Sequence, residues 1–136
     1  MPYTHLTMHR VALLSMVLIT FAVAGCGGSK SYSLEETRDC LQARGAQIGQ
    51  DLGSDVVATT ATAGAFTAAF GDNSVKVLFG ETEDDAETLE IAYDRFAFNN
   101  VKQGLPDVLR RYKNAVTLWQ QHPQDSDLAL VTGCLK

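Results

Sequence analysis

The sequence predicts an α+β domain over residues 33–136, a small antiparallel sheet of about three to four strands packed against about three helices. Three observations predict it. Two β-prone runs flank a Gly-Asp-Asn turn, a long stretch repeats its apolar residues at helical spacing, and each end of the domain carries a further helical pattern.

In chain order, Ser33-Leu34-Glu35-Glu36 reads as a capping box: the Ser33 hydroxyl accepts from the first turn while Glu36 reaches back. The helix it opens should run to Arg44 and stop at Gly45. Ala46 to Gln50 reads as a short strand, and residues 58–64, ATTATAG, as a loop or weak strand. AFTAAF (65–70) and SVKVLFG (74–80), separated by Gly71-Asp72-Asn73, read as a hairpin.

Glu83 to about Ala97 is the long helix, with Ala86, Leu89, Tyr93, Phe96 and Ala97 expected to face the sheet. Ile91 and Phe98 fall off that stripe, and a second core contact is the expectation for both. AVTLW (115–119) reads as another strand. His122-Pro123 then breaks the chain, and Asp125 or Ser126 would cap a last helix running to Leu135.

The first residues have a different character. MPYTHLTMHR holds no acid and carries Arg10, and the thirteen residues from Val11 to Val23 carry no charge. That is the plan of a secretory signal, too short for the roughly 20 residues of a membrane-spanning helix. A start at Met8 would leave an equally acceptable signal. Its end, Val23-Ala24-Gly25-Cys26, resembles the lipobox of bacterial prolipoproteins. The resemblance implies a diacylglyceryl group on the Cys26 thiol, cleavage between Gly25 and Cys26, and further acylation of the new amino terminus. Two or three chains anchor stably, since each buried CH₂ contributes about 0.8 kcal/mol and one chain alone is marginal. It therefore implies an extracytoplasmic protein, lipid-anchored to the bacterial cell membrane, with residues 1–25 removed and residues 26–32 serving as lipidated cysteine and flexible tether.

Removing residues 1–25 from the 136-residue chain leaves 111 residues, enough for one compact domain. Only Arg10 among the charged residues goes with them, so the formal charge moves from −5 to −6. Such an acidic domain is poorly suited to nucleic acid.

With Cys26 assigned to lipid, Cys40 and Cys134 remain, and an oxidising compartment favours their disulfide. Leu34, Cys40 and Leu41 repeat the spacing of Leu128, Cys134 and Leu135, so each cysteine borders the apolar stripe of its own helix. Closing a loop of about 95 residues would stabilise by on the order of 4–5 kcal/mol in the chain-entropy model.

Chemistry-bearing patterns are few. Glu83, Glu87, Glu90 and Asp94 fall in one arc of the long helix. Like charges so spaced repel by a few tenths of a kcal/mol per pair. The stripe is either a solvated face, one crossed by Arg110, Arg111 and Lys113, or a surface for a basic protein partner or a loosely held cation. No metal-ligand pattern, cofactor motif or phosphate loop stands out, and the alternating oxygen ligands of a calcium loop are missing from residues 81–87. His122 is the sole histidine after residue 25, and no G-x-S-x-G occurs. Trp119 and Phe79 read as core. The expectation is a non-enzymatic binding or accessory module of the cell envelope. A lipoprotein binding a small ligand or cation in a sheet–helix crevice, and a hydrolase with an unrecognised site, stay open as alternatives.

Overall fold

The computed structural model describes residues 30–136. The signal segment, the Gly25–Cys26 cleavage site and the lipid carrier Cys26 lie outside the described residues. Among those described, no helix is long and apolar enough to cross a membrane.

The chain runs α1 (Leu34–Ala43), β1 (Gln47–Gly49), a 3₁₀ turn (Ala58–Thr60), β2 (Ala65–Phe70), β3 (Asn73–Phe79) and α2 (Glu83–Phe96). The single-turn helices α3 (Asn99–Lys102) and α4 (Leu105–Val108) follow, then β4 (Leu109–Tyr112), β5 (Ala115–Trp119) and α5 (Asp125–Cys134). The five strands form one sheet in the order β1-β2-β3-β5-β4, with every neighbouring pair antiparallel. The α+β class holds, with one strand more than anticipated. That strand is β4: LRRY shows no apolar alternation, and it is held as an edge through a hairpin with β5.

Alternation sorts the sheet into two faces. Phe66 and Ala68 of β2, Val75, Val77 and Phe79 of β3, and Ala115 and Trp119 of β5 pack with Leu41, Val131 and Cys134 of α1 and α5. Phe66 and Phe79 stack at 6.1 Å between ring centroids, and Phe70 lies 6.0 Å from Trp119. On the other face Leu78 and Val116 meet Ala86, Leu89 and Tyr93 of α2. One face is thus covered by two helices and the other by one.

The β2–β3 turn is tighter than its sequence suggests: Phe70 pairs with Asn73, leaving Gly71 and Asp72 as the loop. Gly71 takes φ +56°, the left-handed backbone that a two-residue hairpin loop requires. Ser33 caps α1 by accepting from the Glu36 N–H, but the return arm from Glu36 is not made. The Ser33 N–H that it would have met donates instead to the Lys136 carbonyl, which ties the start of α1 to the last residue of the domain. The full capping box belongs to α2, between Thr82 and Asp85. Gln124 is the N-cap residue of α5 and makes no side-chain bond, so neither Asp125 nor Ser126 caps it. Asp125 and Asp127 lie inside the first turn, where they favour the helix dipole.

Cys40 and Cys134 form a disulfide between α1 and α5, with Cα atoms 5.5 Å apart and a sequence separation of 94. Asn114, buried in the β4–β5 turn, clamps the same end of the molecule. Its Nδ2 donates to the carbonyls of Tyr32 and Gly80, and its Oδ1 accepts from the Tyr32 N–H.

Replacing both cysteines, as Cys40→Ala with Cys134→Ala, should lower unfolding stability by on the order of 4–5 kcal/mol, the chain-entropy value for a loop of this length. Urea denaturation of the oxidised parent and the double variant measures it. A loss below about 1 kcal/mol would show that loop closure does not constrain the unfolded chain.

Candidate functional site

The second face of the sheet is not covered to its end. α2 stops at Phe96 and the chain turns away at Ala97, where φ −65° and ψ 139° are extended. The next dozen residues contain only the single-turn helices α3 and α4, which are too short to stand without tertiary support. Between them, the 54–57 loop and the ends of α2 and β5 lies a groove of about 610 Å³. That volume falls within the roughly 300–1,000 Å³ of sites that bury small ligands.

Its walls are apolar and open to solvent. Phe98 is 80% exposed, Val56 71%, Phe96 68% and Val101 45%. These are four of the five large apolar side chains exposed among the described residues, and all four line this groove. The fifth, Ile91, is 48% exposed on α2 outside it. Three expectations are corrected here. Phe96 is not buried against the sheet but exposed on the last turn of α2, where it lines the groove. Neither Ile91 nor Phe98 makes a second core contact: among the described residues no further element covers the flank of α2 that carries Ile91, and Phe98 lies beyond the helix.

The groove wall holds one ionised cluster. Asp55 Oδ2 accepts from Lys76 Nζ at 2.7 Å and from the Tyr93 hydroxyl at 2.9 Å, while Oδ1 accepts from the Ala58 N–H at 3.0 Å. Burial alone would raise the Asp55 carboxyl; the bonds from Lys76, Ala58 and Tyr93, with the lysine charge, bring it below the usual carboxylate range. Burial first, and then the Asp55 charge and hydrogen bond, push the Tyr93 phenol far above its ordinary value. Tyr93 therefore stays protonated and Asp55 ionised near neutrality. The cluster fastens the 51–61 loop to β3 and α2, and so fixes one wall of the groove.

The acidic stripe takes its place beside β4. Arg111 Nε donates to Glu90 Oε2 at 2.7 Å, and Glu87 and Glu83 add to the field that raises the guanidinium's pKa. Of the three cations expected across the stripe, Arg111 is there. Arg110 Nη2 donates to the Asp107 carbonyl, and Lys113 lies 4.8 Å from the centroid of the Tyr32 ring. Asp94 and Glu90 line a smaller depression of about 270 Å³ that shares Leu105 with the groove. Among the described residues no three His, Cys, Asp or Glu side chains group so as to hold a metal ion. His122 lines a separate polar depression with Asp72 and Asp127, on the far side of β5's end. Phe79 and Trp119 are core, as expected, although Trp119 also contributes to the groove.

The groove was only partly signalled in the sequence. Phe98 stands off the apolar stripe, but its convergence with Val56, some forty residues earlier, is a tertiary event. Asp55 and Lys76 give no local sign of pairing at all.

Asp55→Asn should lower stability at pH 7 by about 1.5–3 kcal/mol, the range for hydrogen bonds to a charged group. The sign of the pH effect follows from the lowered carboxyl. The stabilisation is present above the unfolded value near 4 and is lost as pH falls through the folded one. Urea midpoints between pH 6 and 2 should therefore fall less steeply in the variant than in the parent. Glu90→Gln should change stability by less than about 1 kcal/mol, because both partners are over a third exposed.

No family model, curated protein or solved structure matches the chain.

Proposed function

We propose that this protein is a non-enzymatic binding module of the bacterial cell envelope, anchored outside the cytoplasm by lipid on Cys26, and that it binds an apolar ligand or partner segment in the groove at the end of α2. One observation carries the binding role: four of the five large exposed apolar side chains meet in a single concavity. Scattered exposed apolar residues need no explanation, but a gathered set marks an interaction surface. Asp55, the one carboxylate lining the groove, is engaged in holding the 51–61 loop through Lys76, Tyr93 and the Ala58 N–H. The anchor rests on the resemblance of Val23-Ala24-Gly25-Cys26 to the lipobox and on the short apolar segment before it.

Two measurements test the two halves. The neutral dye Nile red should bind saturably with enhanced emission, and the paired substitutions Phe98→Ser and Val101→Ser should weaken that binding at least tenfold. Unchanged dye binding in the variant would place the binding surface elsewhere. Intact mass of protein purified from membranes should match residues 26–136 plus a diacylglyceryl group, with or without an added acyl chain. An unlipidated mass would remove the anchor.

A further inference from the structure

Tyr32, where the described chain enters the domain, and the groove lie at opposite poles. At one pole Tyr32 is bound to Asn114, Asn114 to Gly80, and Ser33 to Lys136, so the start of the domain, its last residue, the β4–β5 turn and the approach to α2 meet there. From that pole α2 runs 14 residues to Phe96, about 20 Å at roughly 1.5 Å per residue. β5 runs in the same sense from Ala115 to Trp119, and its far end belongs to the groove. The chain between Cys26 and Tyr32 spans at most about 20 Å. A lipid on Cys26 would hold the Asn114 pole towards the membrane and leave the groove facing away from it.

The charges around the groove select further. No Lys or Arg lines it, and its one carboxylate, Asp55, is already neutralised by Lys76. The anionic head of a fatty acid or phospholipid would meet no counter-charge there. Across Leu105 the neighbouring depression carries Asp94, Lys102 and Glu90, the last paired with Arg111; the arc of Glu83, Glu87, Glu90 and Asp94 on α2 still outnumbers those two cations, and the chain beyond residue 25 carries a formal charge of −6. A second copy would bring the same negative charge against it.

Resting on the proposed binding role, we infer that the groove receives an apolar segment of another polypeptide, flanked by basic residues and approaching from the side away from the membrane. Apolar side chains enter among Phe96, Phe98 and Val101, and the flanking cations meet the acidic side of α2 beyond Leu105. This is the helix-in-groove mode of recognition, with affinity from apolar anchors and selectivity from charge.

The lipidated full chain in phosphatidylcholine nanodiscs, with empty discs as the blank, tests this with two labelled amphipathic peptides of equal length, one of leucine and lysine and one of leucine and glutamate. The leucine–lysine peptide should bind saturably and at least tenfold more tightly than its acidic counterpart. Phe98→Ser should weaken it at least tenfold, and Asp94→Lys should weaken it while leaving Nile red binding unchanged. In vesicles with brominated acyl chains, the indole introduced by Phe98→Trp should keep its emission. Equal affinity for the two peptides, or indifference to Phe98→Ser, would overturn the inference. Quenching by the brominated chains would do so too, by making the bilayer the occupant, and a dimer dissociated by Phe98→Ser would put a second copy there. Nile red binding without peptide binding would leave the binding role standing and overturn this inference alone.

Discussion

A sheet with two apolar faces must be covered on both, and the described residues supply two packed helices for one face and a single helix for the other. The rest of the structure follows from that imbalance. On the first face α1 and α5 lie together, cross-linked by Cys40 and Cys134, over the stacked rings of Phe66 and Phe79. On the second face α2 covers Leu78 and Val116 and then ends. What it leaves bare between β5, the 54–57 loop and the two short helices is the groove.

Polar groups hold this arrangement at two points. Asn114 uses both amide hydrogens and its oxygen to join the N-terminal segment to the end of β3 and the β4–β5 turn. A buried amide so fully paired fixes geometry, because breaking any one bond would leave a buried polar group unsatisfied. Asp55 does the same at the other end, accepting from a lysine of β3, a phenol of α2 and the backbone of its own loop. One clamp sets where the chain enters the domain, and the other sets where the groove wall stands. The acidic stripe is a lesser matter of charge balance, eased where Arg111 of the edge strand reaches Glu90.

The hairpin and the long helix were legible because each depends on neighbours in sequence, and the α1–α5 disulfide, which joins distant residues, from the local pattern around each cysteine. AFTAAF and NSVKVLF flank a glycine that can take positive φ, α2 repeats its apolar residues every three or four positions, and each cysteine borders its helix's own stripe. β4 was not legible: Arg110 and Arg111 hide an edge strand whose hydrogen bonds are supplied by β5. The cap of α5 was misread because a first turn rich in Asp satisfies the dipole without an oxygen at the N-cap. The return arm of the α1 capping box was misread because its donor is taken by Lys136, a hundred residues away.

By itself, then, the sequence determined the α+β class, the elements with strong local period, the cysteine pair and the expectation of an anchored, acidic domain. These are local quantities: spacing, turn chemistry and composition. Tertiary structure alone decided that Phe96 and Phe98 would be exposed, that Val56 would join them, and that Asp55 would meet Lys76 and Tyr93. Periodicity tells which side of a helix is apolar, but not whether another element reaches far enough to cover it. The groove exists because here none does.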